Sequence, residues 1–191
     1  MARVAESGIK DVFSFIDARD YARLGAYLVA HPEAAAVRNA QNVSALMYAL
    51  YRRNHESVRM LRDRLLTLDL WEAAALGEDP ALRVLLDEPG CDVEAFSPDG
   101  LTALQLASFF GRDGAVELLL ERGANPDAVS RNAQGIRALH GATVGRHYEI
   151  ARRLMAAGAN LDATGADGQT ALDIAIKSKD EPLVKILTNQ S

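Results

Sequence analysis

The sequence predicts an all-α solenoid: stacked helix-turn-helix units joined by short β-hairpin-like loops. Three observations predict it. An apolar anchor recurs at Val12, Leu46, Leu70, Leu104, Leu139 and Leu172, at intervals of 34, 24, 34, 35 and 33 residues. The stretch DGLTALQLASFFGRDGAVELLLERGANPDA, Asp99 to Ala128, holds two apolar runs at helical spacing, each followed by a glycine. Its last six residues, GANPDA, return as GANLDA at 158–163. A period near 33 residues means units too small to bury their own apolar faces, which therefore stack.

The elements follow in order, as one domain over 1–191 with approximate repeats 9–38, 39–66, 67–96, 97–129, 130–163 and 164–191. DVFSFIDARDYARLGAYLVAHP reads as a helix pair whose Asp17, Arg19, Asp20 and Arg23 suit a polar N-terminal cap. NVSALMYALYRRNHESVRMLRDR is a second pair. The link RLLTLD after it is about nine residues short of the repeat length, so the spacing predicts a direct helix-to-helix connection and a missing hairpin. In the third unit Gly77 stops the first helix. In the fourth, Leu101, Leu104 and Ala107 form the apolar face and Thr102 the N-cap, and Gly111 supplies the left-handed stop. Val116, Leu119 and Leu120 face one way on its second helix, which Gly123 ends. The fifth unit repeats this scheme from Gly135 to Ala163. The sixth carries Lys177, Lys179, Asp180, Glu181 and Lys185 as a polar C-terminal cap.

At TALQLA (Thr102 to Ala107), RALHGA (Arg137 to Ala142) and TALDIA (Thr170 to Ala175) the chain resembles ankyrin repeats, whose signature is T-P-L-H-x-A. The likeness is closest from Asp92 onward, looser over Val43 to Glu88, and carried by the helix pair alone before Val37; its departures fit a bacterial branch. The resemblance implies a non-enzymatic binding scaffold whose first helices line a concave surface. In the family, the signature threonine and histidine tie neighbouring repeats by hydrogen bonds. No repeat here keeps both: Thr102 is accompanied by Gln105, His140 by Arg137 and Thr170 by Asp173, while Met47 and Trp71 replace the histidine. Those seams are therefore expected to rest on apolar packing. Arg53, Arg146 and Lys179 stand where the family has a turn glycine, and are expected to bear backbone strain. The resemblance also makes His140 a structural histidine.

Composition narrows the function. A net charge of −5 and a pI of about 5.4 argue against a nucleic-acid surface, and the arginine pairs Arg52/Arg53 and Arg152/Arg153 read as helix-surface charge. No apolar run approaches the roughly 18 residues that span a bilayer, and the N-terminus has no signal-peptide pattern. The single cysteine, Cys91, allows no internal disulfide and fits a reducing, cytoplasmic compartment. The four histidines form no zinc pattern, no glycine-rich phosphate loop is present, and Asp87/Glu88 and Asp180/Glu181 read as solvated helix termini. No catalytic residue, metal or cofactor is expected.

The adjacent Phe109 and Phe110 are the feature that asks for a function. At about 100° per residue they fall roughly 140° and 240° from Leu104, straddling the side opposite the core. The same offsets elsewhere give Tyr51 and Arg52, Leu76, and Val144 as the other groove residues. The hairpin tips add Phe96, Pro98, Asp99 and Leu101, then Gln134 and Ile136. An aromatic centre with a polar rim is how a protein interface is built. One alternative puts both rings in the seam between first helices; a mixed case buries one ring and exposes the other. The expected partner is a protein, with no nucleic acid or membrane, and the chain a monomer or weakly self-associating. A second reading makes the missing hairpin a notch for a peptide or small-molecule ligand near Tyr51, Trp71 and Leu76.

Overall fold

The computed structural model describes residues 6–188, with side chains from residue 11 onward. Among these residues there are twelve α-helices, paired in chain order: α1 Glu6–Ala18 with α2 Tyr21–Ala30, α3 Ala45–Tyr51 with α4 His55–Arg62, α5 Leu70–Leu76 with α6 Asp79–Asp87, α7 Ala103–Phe110 with α8 Asp113–Glu121, α9 Ala138–Gly145 with α10 Tyr148–Ala156, and α11 Ala171–Lys177 with α12 Glu181–Leu187. A short 3-10 turn covers Pro32–Ala36. The fold is all-α; β structure among the described residues is limited to isolated bridges at Arg38–Ser44, Phe96–Thr102 and Thr164–Thr170. Each bridge closes a loop that leads into a first helix.

The chain forms two compact units, Met1–Leu68 and Asp69–Ser191. The first unit buries Val12, Ile16, Leu24, Leu28, Leu46 and Leu61. In the second, α5, α7, α9 and α11 pack in series as one layer, and α6, α8, α10 and α12 pack in series as the other. Leu82, Leu104, Leu106, Leu119, Leu154 and Leu183 are its fully buried leucines. Each such leucine contributes about 2 kcal/mol on leaving water.

Local chemistry sets the boundaries. Thr102 accepts from the Gln105 N–H at 3.3 Å and the Gln105 side chain accepts from the Thr102 N–H at 2.9 Å, a reciprocal cap that starts α7. Asp69 with Glu72 and Thr170 with Asp173 start α5 and α11 in the same way. Leu101 precedes this cap instead of belonging to the helix. Gly77 and Gly111 end α5 and α7 at φ of 74° and 71°. Arg53, Arg146 and Lys179 take the same left-handed turn at φ of 51°, 58° and 53°, a region that disfavours side chains. Residues 63–69 join α4 to α5 with no bridge among the described residues, in keeping with the short link.

Two expectations are corrected. Asp180 is not a solvated terminus: it is buried, its carboxylate caps α12 through the Leu183 N–H at 3.2 Å, and it lies 3.3 Å from Arg146. Nor do the seams of the second unit rest on apolar packing alone. Gln105 Nε2 donates to the Ala128 and Ile136 carbonyls at 2.7 and 2.9 Å, and Trp71 Nε1 donates to the Ala95 carbonyl at 3.1 Å. An amide carries both an acceptor and a donor, so Gln105 performs the capping and the stitching that the histidine was expected to perform.

Candidate interaction surface

The surface is built on α7. Phe109 and Phe110, in its last turn, meet edge to face with centroids 5.1 Å apart and planes at 82°. Both are half-buried, so neither the fully exposed nor the fully cored alternative holds. Phe109 is seated closely: a methyl group on Gly141 of α9 would come within 3.3 Å of its Cβ.

The end of α7 is fixed from the next repeat. His147 Nε2 lies 3.1 Å from the Phe109 carbonyl, which can only accept, so Nε2 carries the proton. The imidazole reaches that carbonyl between two glycines; a Cβ on Gly111 or Gly145 would come within 2.4 or 2.3 Å of the ring. Arg112 makes the equivalent bond one repeat earlier, Nε to the Ala75 carbonyl at 2.9 Å. In the first unit Asn54 Nδ2 donates to the Ile16 carbonyl at 2.9 Å. These positioning residues were not singled out from the sequence as a set. The signal is a polar residue directly after each left-handed turn residue: Asp20, Asn54, Glu78, Arg112, His147 and Asp180.

Around the phenylalanine pair, Val144 is 55% exposed and Leu76 is half-buried. The loops bear the other candidates. Phe96 is half-buried beneath the Arg131 guanidinium, 3.9 Å from the ring centroid. Pro98 and Gln134 are exposed, while Asp99, Leu101 and Ile136 are half-buried. Adjacent loops are laced by backbone bonds: Arg131 N–H to the Gly100 carbonyl and Ala166 N–H to the Gln134 carbonyl, both 2.8 Å. The adjacent loops are therefore fixed to one another by their backbones.

The two candidates in the first unit differ in character. Tyr51 is 36% exposed. Arg52 belongs to a polar cluster: its guanidinium donates to the Tyr48 hydroxyl at 2.9 Å and pairs with Asp17 at 3.0 Å, and the same hydroxyl donates to Asp17 at 2.9 Å. The Tyr48 and Asp17 contacts hold the arginine more firmly charged.

Titratable chemistry is sparse. His140 is buried; its Nδ1 accepts from the Arg137 N–H at 3.3 Å and Nε2 lies 3.2 Å from the Gln169 carbonyl, which fixes the Nε2–H tautomer. Burial holds its pKa below the ordinary imidazole value. Burial and the nearby Glu88 and Asp92 push the Cys91 thiol up, which disfavours the nucleophilic thiolate. Among the described residues no group of three or more His, Cys, Asp or Glu side chains is placed to hold a metal ion, and no helix is long and apolar enough to cross a membrane.

Comparison with known proteins adds the family context. The ankyrin repeat family matches residues 99–131, and the family described as ankyrin repeats in many copies matches residues 142–188. The chain is 30% identical over 123 residues to mouse ankyrin repeat and SAM domain-containing protein 6, covering 63% of this chain and 14% of that protein. It is 35% identical over 88 residues to a putative ankyrin repeat-containing protein of Treponema pallidum, covering 46% and 29%. With the mouse B-cell lymphoma 3 protein homolog it shares 37% identity over 109 residues, covering 56% and 24%. The match spans less than a third of each of these relatives.

Proposed function

Because this chain is an ankyrin-repeat protein, we propose that it is a non-enzymatic protein-binding module that docks its partner on the first-helix groove and the hairpin tips. Ankyrin repeats are general protein-protein interaction modules, and stacked repeats offer an extended rigid surface. The observation that carries the reading is the half-exposed Phe109–Phe110 pair on a helix whose C-terminal end is held by His147 and Gly141. A rigid aromatic anchor loses little conformational entropy on binding. Leu76, Val144, Phe96, Pro98, Asp99, Leu101, Gln134 and Ile136 extend it within the second unit; Tyr51 and Arg52 are proposed contact residues of the first unit taken by itself. The single cysteine supports a reducing, cytoplasmic setting.

The test is a pull-down from lysate of the source organism with wild type and a Phe109→Ser, Phe110→Ser double variant, with circular dichroism confirming that the variant folds. A protein retained by wild type and lost by the folded variant supports the groove; equal capture by both sinks it. The alternative, a peptide or small-molecule sensor at the missing hairpin, draws on the unbridged link 63–69, where Leu66 is fully exposed. It predicts ligand-dependent thermal stabilisation that a Leu66→Ser variant loses.

A further inference from the structure

The charge of the chain is divided unevenly. Residues 1–68 hold ten Lys and Arg against seven Asp and Glu; residues 69–191 hold eleven against nineteen, a net of −8. Most arginines of the second unit are already engaged. Arg122 pairs with Asp87 at 2.7 Å, and Arg153 with Asp113 and Glu117 at 2.8 and 3.4 Å, all on second helices or, for Arg122, directly after one. Arg146 pairs with Asp180, Arg112 and Arg137 donate to carbonyl oxygens, and Arg131 covers Phe96.

The loop side is different. Glu88, Asp92, Glu94, Asp127, Asp162 and Asp167 have no ion pair among the described residues. They recur by repeat register, because Glu94, Asp127 and Asp162 occupy the same loop position in successive units. Glu94 and Asp127 accept the Asn125 and Asn160 N–H groups at 2.8 and 2.9 Å, so these carboxylates are fixed in place. The loops 88–101 and 157–169 are thus acidic, whereas 122–137 sets Arg122, Arg131 and Arg137 against Asp127; the acidic loops lie toward the N-terminal ends of the first helices, and Phe109, Phe110 and Val144 toward the C-terminal ends.

From this we infer that the partner of the second unit is an extended basic protein segment that runs along the first helices: one or two large apolar side chains seat on Phe109, Phe110 and Val144, and Lys or Arg farther along the segment answer the carboxylates of the acidic loops. The inference rests on the groove reading above and adds the chemistry of the occupant. Complementary charge raises the encounter rate and excludes acidic competitors, while the apolar anchor supplies affinity. The net charge of −8 on the second unit also disfavours nucleic acid and anionic lipid as occupants.

The probes are two short-peptide libraries that share a randomised apolar core and differ only in Lys or Glu flanks, displayed against the full chain. Three proteins are compared: wild type, Phe109→Ser/Phe110→Ser, and a charge-neutralised Glu88→Gln/Asp92→Asn/Asp162→Asn/Asp167→Asn variant, in which the side-chain carbonyls at 92 and 167 still accept the Glu94 and Gln169 N–H groups. Selection of Lys-flanked peptides is expected. Their association rate should fall about tenfold in the neutralised variant or on raising salt from about 0.05 to 0.3 M, and their binding should vanish in the folded phenylalanine variant. Glu-flanked or flank-indifferent binding that still needs the phenylalanines overturns the basic partner and leaves the groove intact. Lys-flanked binding that ignores the phenylalanines is bare charge attraction and overturns the inference. No binding through the pair from either library removes both the inference and the groove reading.

Discussion

Ser108 and Thr143 occupy the same position in successive first helices, and both are buried. The Thr143 hydroxyl donates to the Leu139 carbonyl at 2.8 Å, whereas the Ser108 hydroxyl has no partner among the described residues. A desolvated, unbonded hydroxyl is a liability, so Ser108→Ala should stabilise the protein by about 1 kcal/mol, read from urea unfolding; a loss of stability would mean that the oxygen is bonded after all. His140 gives a pH prediction. Burial lowers its folded pKa, the Arg137 charge lowers it further, and Asp167 acts the other way. The unfolded chain therefore binds a proton at higher pH than the folded one, and stability is lost as pH falls below about 6.5. His140→Gln keeps an acceptor for the Arg137 N–H and a donor for the Gln169 carbonyl, and so should flatten the melting temperature between about pH 7 and pH 5. An unchanged slope would assign the acid sensitivity elsewhere. The sequence exposes His140 as structural, but neither the tautomer nor the empty Ser108 bond is written in a residue string, since both depend on atoms brought from another repeat.

Helix α7 shows how much of an element can be read in advance. Its cap, its apolar face and its glycine stop all follow from local spacing, because each depends on residues within a few positions. Its fastening does not. Gln105 looks like the loss of a histidine when compared letter by letter, yet its amide caps the helix and reaches two carbonyls of the following loop. The group is buried, so Gln105→Ala leaves the Thr102 N–H and the Ala128 carbonyl short of partners and should cost about 2 kcal/mol. Gln105→His, which retains one acceptor and one donor, should recover part of that loss; equal loss in both would mean that amide shape rather than hydrogen bonding matters. Asp180 errs in the opposite direction. A carboxylate beside Glu181 at a helix start reads as solvated, and only the fold brings Arg146 against it.

At the scale of the whole chain, the boundary between the two compact units falls within the RLLTLD link, the one place where the period breaks. The charge imbalance was countable from the start but had no meaning until that boundary divided it. The phenylalanine pair was legible as a feature, and its half-buried state was not, because that depends on how closely Gly141 lets α9 approach. Serial packing within the second unit has a mechanical consequence. First helix α7 is held on both sides, by α5 and α9, whereas α11 is packed by α9 alone among the first helices described. In a one-dimensional stack, stability comes from nearest-neighbour seams, so a repeat with one seam opens before a repeat with two. Ile176 illustrates the difference: it stands at the repeat position where Ser108 and Thr143 are buried, yet it is 57% exposed. Amide hydrogen exchange should therefore be slowest in α7 and α9 and faster in α11 and α12. Gln105→Ala should quicken exchange in α7 and α9 together, because it cuts the seam they share. Uniform protection from α5 to α12 would show that the unit opens as one body, with its seams too strong to act separately.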